Sequence, residues 1–315
     1  FGRRTEPGLR LMDISKMALA DNSTNSSFNC TIDSFKQVIY PITYLFIFLF
    51  GAVGNGLSIY VFSQPSQRKT SVNIYMQNLA VSDLMFVSTL PFRATYFLLG
   101  SRWIFGDIIC RIMTYTLYVN MYCSIYFLTV LSVVRFIAIV YPFKHWKVTN
   151  MKYSRGICAA IWLFVLAASS PLLNKDIAGY RNPAKCLDLH PSSTHRLLLL
   201  NIFVLVVGFI LPFCTIIFCY IFAIKVLLKS KAPQVRKAGC HKKALATIII
   251  TLVLFFLCFL PYHILRTVHL MSSMCSQENL HRALVVTLCL AAMNSCLDPI
   301  LYYFAAENFK TKIRS

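Results

Sequence analysis

Two aspartates and two arginines stand inside or at the ends of stretches that are otherwise apolar, and an ionised side chain at membrane depth costs several kcal/mol. Each therefore needs a chemical reason. Asp83 interrupts the apolar run 70–92 and Asp298 the run 283–306. The helical rise puts both near mid-membrane, where two carboxylates share a proton or a cation; satisfying the amides of Asn55 and Asn294 is the purely structural alternative. Arg93 follows Asp83 by ten residues, about 15 Å along a helix, and Arg266 lies one turn beyond Tyr262 and His263. Guanidiniums offer fixed bidentate donors to carboxylate or phosphate. No acid occupies the matching halves of the second, third, sixth or seventh apolar runs, so an amine would find no counter-charge and an anionic ligand is expected. Tyr118, eight residues after Cys110, adds a hydroxyl on an aromatic body. Lys36 and His281 stand at the outer starts of the first and seventh runs, where ligand contact and a solvated helix end explain them equally well.

These residues must be positioned by membrane helices. Of 315 residues 57 % are hydrophobic and 13 % charged, about half the charge of a soluble domain. The 31 Lys and Arg against 11 Asp and Glu lie mostly in loops between apolar runs, which points to a bilayer rather than to nucleic acid. The 25 Phe and 16 Tyr exclude disorder, and the 12 Cys form no CxxC pair that would suggest zinc. Seven runs, 37–67, 70–92, 112–134, 156–174, 197–224, 244–265 and 283–306, reach the length of about 20 residues that a hydrocarbon core requires. An open strand cannot satisfy its backbone in lipid, so they read as helices.

Segments 63–71, 141–152, 229–243 and 305–315 carry fourteen Lys and Arg with one acid, Glu307, against eleven with eight acids on the opposite side. The first set is therefore cytoplasmic. Sequons at Asn22, Asn25 and Asn29, all before the first crossing, agree with an outer N-terminus. The segment 1–40 reads as extracellular and glycosylated, 41–304 as one seven-helix domain, and 305–315 as a short amphipathic eighth helix on the inner leaflet. No signal-peptide core precedes the first crossing, which serves as its own targeting signal. Pro91, Pro171, Pro212, Pro261 and Pro299 are expected to bend or end their helices. Four Cys fall in outer segments, Cys30, Cys110, Cys186 and Cys275, where disulfides form.

One motif per crossing then matches a known order. Gly54-Asn55, Leu79-Ala-Val-Ser-Asp83, Cys110 with Ser132-Val-Val-Arg135, Trp162, Pro212 with Tyr220, Phe255 with Cys258-Phe-Leu-Pro261, and Asp298-Pro-Ile-Leu-Tyr302 resemble the rhodopsin-like, class A, G-protein-coupled receptors. The resemblance implies an all-α membrane protein without enzymatic activity or organic cofactor, a plasma-membrane location and a heterotrimeric G protein as partner. It also implies a Cys110–Cys186 disulfide, leaving Cys30 for Cys275. A sodium ion is implied among Asp83, Asn120, Ser124, Asn294 and Asp298, and activation switches at Arg135, Tyr220, Phe255, Phe259, Pro299 and Tyr302. Val134 stands where the family has the acid that pairs with the arginine, Phe259 where it has Trp, and Asp298 where it has Asn.

Within the family the chain is similar to the cysteinyl leukotriene receptors through Asn29-Cys-Thr-Ile, Ser88-Thr-Leu-Pro-Phe-Arg93, Trp103-Ile-Phe-Gly-Asp107, Leu117-Tyr-Val-Asn-Met121, Phe259-Leu-Pro-Tyr-His263, Leu265-Arg-Thr-Val-His269 and Tyr302-Tyr-Phe. That implies an anionic lipid ligand bound by Arg93, Tyr118, Tyr262, His263 and Arg266 with Lys36 and His281 at the rim, and Gq coupling with calcium release. Membrane lipids are the other expected partner; nucleic acid is not one. A nucleotide receptor of the same fold shares His263-x-x-Arg266 and stays open. A cation transporter lacks the inverted halves it would need, and an intramembrane enzyme lacks an HExxH or Ser–His arrangement. A retinal protein is excluded, because no Lys in the seventh run can form a Schiff base.

Overall fold

The computed structural model of the chain describes residues 8–64, 70–141, 150–173, 186, 194–229, 235–271 and 278–305. Every element among them is helical. The first crossing is α1 (Gly8–Ser63), the second α2 (Ser71–Val87) followed by α3 (Leu90–Leu98), and the third α4 (Asp107–Val140). The fourth is α5 (Met151–Ser169), the fifth α6 (Thr194–Leu205) with α7 (Leu211–Lys229), the sixth α8 (Val235–Leu254) with α9 (Leu260–Met271), and the seventh α10 (Glu278–Ala305). Two inner helix starts are capped by side chains: Thr70 accepts from the Asn73 amide at 3.2 Å and Asn150 from the Lys152 amide at 2.9 Å.

Among the described residues six helices are long and apolar enough to span a bilayer unbroken, where the sequence suggests seven. The exception is the second crossing. The Ser88 hydroxyl donates to the Met85 carbonyl at 2.8 Å and the Thr89 hydroxyl to Phe86 at 2.7 Å, and Pro91 begins the next helix. Local side-chain bonds and a missing backbone donor together break the rod into two pieces. The expected eighth helix over 306–315, Cys275, and the side chains of Cys30, Asn22, Asn25 and Asn29 lie outside the described residues.

The prolines of the fifth and sixth crossings are accommodated in one way. A π turn precedes each, Val206–Ile210 before Pro212 and Phe255–Phe259 before Pro261, with Leu211 donating to the Val206 carbonyl and Leu260 to that of Phe255. The widened turn relieves the clash of the proline ring with the carbonyl four residues back. Val207 would find its five-residue donor in the N–H that Pro212 lacks; its carbonyl accepts instead from the Tyr126 hydroxyl at 2.9 Å. Pro171 sits in a 3₁₀ turn, Ser170–Leu173, that ends the fourth crossing. Pro299 lies inside α10, and Pro41, not among the prolines singled out from sequence, lies inside α1.

The third crossing lies at the centre, against the second, fourth and fifth, while the first packs on the second and seventh. Close approach between first and seventh depends on Gly54, where a Cβ would come within 2.7 Å of the Pro299 ring. Beside it Asn55 donates to the Ser295 carbonyl across the interface at 2.6 Å and to Gly51 at 3.0 Å. On the outer side, Cys110 and Cys186 are joined, as the resemblance implies. Trp103 packs against Tyr96 and Phe105 and donates to Gly106, whose φ of 82° is the left-handed region that favours glycine.

Gly54→Ala forces the Pro299 ring aside and should cost about 1–3 kcal/mol, the range for overpacking. Gly56, which faces open space, provides the control: Gly56→Ala should be neutral or slightly stabilising through helix propensity. Thermal unfolding of the detergent-purified variants separates the two, and equal midpoints would deny the close contact its role.

Candidate ligand-binding site

An open cavity lies among the outer halves of the third, fourth, fifth and sixth crossings. Four residues expected from sequence converge on it: Tyr118 from the third crossing and Tyr262, His263 and Arg266 from the sixth. Positions 262, 263 and 266 share one helix face because three and four residues make a turn. The hydroxyl of Tyr262 lies 3.5 Å from that of Tyr118, so a ligand oxygen can enter between two weakly engaged donors. His263 stacks on Phe209 at 4.5 Å between ring centres, and its buried Nε2 has no hydrogen-bond partner. Asn201 donates to Thr267 at 3.3 Å, tying the fifth crossing to the sixth. Among the described lining residues there is no carboxylate.

A second, smaller chamber adjoins the first, sharing Tyr122, Ala168, Ser169 and Val204 with it. It is lined mainly by apolar groups, including Tyr126, Val165 and Val207, and its outer wall contains Phe164 and Phe203, both exposed on the flank of the bundle. The combination is a largely apolar chamber that carries one guanidinium, two phenols and an imidazole, continuous with an apolar annex toward the flank of the bundle.

The structure does not bring every expected residue here. Arg93 is 1 % exposed and lines neither chamber. It donates through Nη2 to the Met113 carbonyl at 2.5 Å and lies near Tyr44, while its Nε has no partner. Its surroundings are the aromatic layer of the first and second crossings, where Tyr40 stacks on Tyr44 at 5.1 Å and lies 4.5 Å from Phe97. Lys36 pairs with Asp33 at 3.9 Å, and His281 lies edge-on to His269 at 5.7 Å; neither lines the cavity. Tyr122, Phe209 and Tyr44 escaped the sequence reading. Tyr122 is four residues after Tyr118 and so on its face, a signal the spacing does contain; Phe209 carries none.

Below the cavity runs a buried polar network. Asn120 donates to Asp83 at 2.9 Å and accepts from the Ser295 hydroxyl at 3.1 Å. Asn294 donates to Asp298 at 2.8 Å, and the Tyr302 hydroxyl reaches Asp83 at 3.4 Å. Three oxygens in the network have no partner: Ser124 Oγ, Asn294 Oδ1 and Asp298 Oδ1. Of the remaining switch positions, Phe255 and Phe259 pack in the sixth-crossing π turn with rings 5.4 Å apart, and Tyr220 accepts from Ser132 at 2.7 Å near Arg135. Val134 is buried, so the residue beside Arg135 supplies packing in place of charge.

The profile of the 7 transmembrane receptor (rhodopsin family) matches residues 54–302. The human cysteinyl leukotriene receptor 2 is 55 % identical over 93 % of this chain and 85 % of its own length. The human cysteinyl leukotriene receptor 1 is 40 % identical over 93 % of this chain and 89 % of its own, and the mouse G-protein coupled receptor 183 is 33 % identical over 92 % and 86 %. The chain belongs to the rhodopsin family of seven-transmembrane receptors; it is a multi-pass membrane protein and a receptor, not an enzyme.

Asn120→Ala leaves the Ser295 hydroxyl without its acceptor and removes the donor to Asp83 Oδ1, leaving the longer Tyr302 bond on that carboxylate. The expected loss of stability is about 1–3 kcal/mol, the cost of stranding buried polar groups. Ser124→Ala, which removes an oxygen with no protein partner, should leave the unfolding midpoint unchanged in sodium-free buffer. A midpoint in Asn120→Ala equal to wild type would contradict the network.

Proposed function

We propose that this receptor binds cysteinyl leukotrienes, anionic lipid mediators, beneath its outer face and signals at the plasma membrane, mainly through Gq-type G proteins and calcium. The glycosylated N-terminus faces outward in this reading. The observation that carries it is the joining of a chamber with Arg266 and no acid among its described lining residues to an apolar annex that opens toward lipid. An acidic peptide head conjugated to a fatty chain needs both. The names of the receptor 1 and receptor 2 relatives support the same ligand class. A nucleotide would satisfy Arg266 but has no group suited to the annex, which makes a nucleotide receptor the weaker reading.

Arg266, with Tyr118, Tyr262 and His263, is assigned the first acidic group of the ligand. Arg93, whose buried Nε has no partner, is assigned a second. Lys36 and His281 remain rim positions that steer an anion inward. Truncating one member of a desolvated charge pair costs about 2–5 kcal/mol, so Arg266→Ala or Arg93→Ala should weaken leukotriene potency about 30-fold or more. Lys should restore only part, since it lacks the planar fork. The measurement is calcium release in cells with matched surface expression, using leukotrienes, their carboxylate esters and nucleotides side by side. Esterification should harm wild type far more than the arginine variants. A wild-type response by Arg266→Ala, or a nucleotide outperforming the leukotrienes, would overturn the assignment.

We also propose a sodium ion among Asp83, Asn120, Ser124, Asn294 and Asp298. Oxygen donors suit a hard cation, and the three unpartnered oxygens of Ser124, Asn294 and Asp298 are of the kind such an ion uses. The ion would supply the positive charge between the second and seventh crossings that no side chain of the set provides. Purified wild-type protein should unfold at a higher temperature in sodium chloride than in choline chloride of equal strength. Asp83→Asn and Ser124→Ala should each remove most of that difference; identical midpoints of wild type in the two salts would end the proposal.

A further inference from the structure

The sixth and seventh crossings end on the outer side with two imidazoles facing each other, His269 in the last turn of α9 and His281 in the first turn of α10. Their ring centres are 5.7 Å apart with planes at 74°, and both side chains are only half-buried. Neither lines the ligand cavity; the ligand reading gives His281 only a place at the rim and His269 no task.

We propose that His269 and His281 form a binding site for a borderline divalent transition-metal ion, Zn²⁺ or Cu²⁺, that bridges the outer ends of the sixth and seventh crossings. Neutral imidazole is the preferred side-chain ligand of these ions. At the usual Zn–N distance of about 2.0–2.1 Å and a tetrahedral angle, the centres of two ligating rings stand roughly 5 Å apart, close to the observed separation. The imidazole χ2 torsion is broad, and ring rotation is the adjustment that coordination of one ion by both side chains requires.

The surroundings set the strength of the site. Among the described residues no third His, Cys, Asp or Glu completes a cluster. Glu278, one turn before His281, is engaged by Arg282, whose guanidinium also lies 5.5 Å from the Phe35 ring. Arg266, one turn before His269, adds positive charge nearby. Water must therefore fill the remaining coordination positions, and the affinity is micromolar rather than that of a structural zinc. Such an ion is an extracellular modulator and not a fold-determining group. Because the bridge ties α10 to α9, the helix that brings Tyr262, His263 and Arg266 to the cavity, occupancy alters ligand affinity, and the ligand alters metal affinity by the same factor.

The test uses the purified full chain without any ligand, so it stands or falls apart from the leukotriene reading. Zn²⁺ titration should raise the unfolding midpoint by a few degrees in a saturable way. Cu²⁺ should bind more tightly than Zn²⁺, with hyperfine structure from two nitrogens in its electron paramagnetic resonance spectrum, while Mg²⁺ and Ca²⁺ have no effect. His269→Gln and His281→Gln, both at half-exposed positions, should each weaken binding at least about tenfold. A wild-type protein with no saturable response, a single-nitrogen spectrum, or a response retained in either variant would overturn the site.

Discussion

A polar atom buried in a helix bundle within lipid must find its partner inside the protein, and the arrangement of the seven crossings follows from that constraint. Lipid is as apolar as leucine, so helices gain nothing by hiding hydrophobic faces from it; close packing and interhelical hydrogen bonds hold them together. Asn55 joins the first crossing to the seventh through the Ser295 carbonyl, and Ser295 in turn donates to Asn120 of the third. Asn120 reaches Asp83 of the second, to which Tyr302 of the seventh also donates. Four crossings thus meet in one network. Interhelical bonds in membranes average about 0.6 kcal/mol each, so the network fixes relative position more than it supplies stability. Contacts such as Gly54 against Pro299 provide the packing that accompanies it.

The prolines extend the same argument to the backbone. A proline inside a membrane helix strands a carbonyl, and lipid provides no water to satisfy it. Here the fifth crossing widens by a π turn and Tyr126 caps the Val207 carbonyl. Gly208 within that turn lets the backbone rest on Tyr122, since a Cβ there would stand 2.8 Å from the ring. Tyr122 is also the wall shared by the two chambers. The defect caused by Pro212 and the shape of the cavity are therefore one structural feature. In the second crossing the break at Ser88 and Thr89 similarly starts a fresh helix that carries Arg93 inward, toward the Met113 carbonyl.

Most of the fold was legible because its signals are local: apolar run length, basic loops, and one motif residue per crossing. The polar network was legible for a related reason, since Asp83, Asn120, Asn294 and Asp298 are conspicuous in apolar surroundings. The π turns were not, because hydrophobicity does not register whether a carbonyl bonds four or five residues ahead. The grouping of four of the expected ligand residues on one cavity was legible as well. Arg266 shares a turn with Tyr262 and His263, so helical spacing places all three on one cavity. Arg93 is different: its depth follows from the helix rise, but its direction depends on a broken helix and on Tyr44 of another crossing. The His269–His281 pair was invisible for the same reason, being a contact between two helix ends whose separation only the bundle determines.

The annex shares Val207 and Gly208 with the fifth-crossing π turn, and His263 of the cavity stacks on Phe209 of that turn, which gives the cavity a physical route to the interior. Phe209 of the fifth-crossing π turn stacks on His263 at 4.5 Å and lies 6.2 Å from Phe255 of the sixth-crossing π turn. Phe255 contacts Phe259 at 5.4 Å, and Phe213 stacks near both Phe209 and Phe255. His263 is thus the top ring of an aromatic column whose lower rings belong to the two least regular helix segments. Interiors packed at near-crystal density cannot absorb the displacement of one ring without moving its neighbours. A ligand group that presses on His263 or engages its unpartnered Nε2 must act on Phe209, and through it on both turns at once. Regular α-helix on either side would spread such a displacement along its length. Here the turns concentrate it, because their hydrogen bonds already depart from the α pattern and Pro212 and Pro261 prevent the ladder from closing again beyond them.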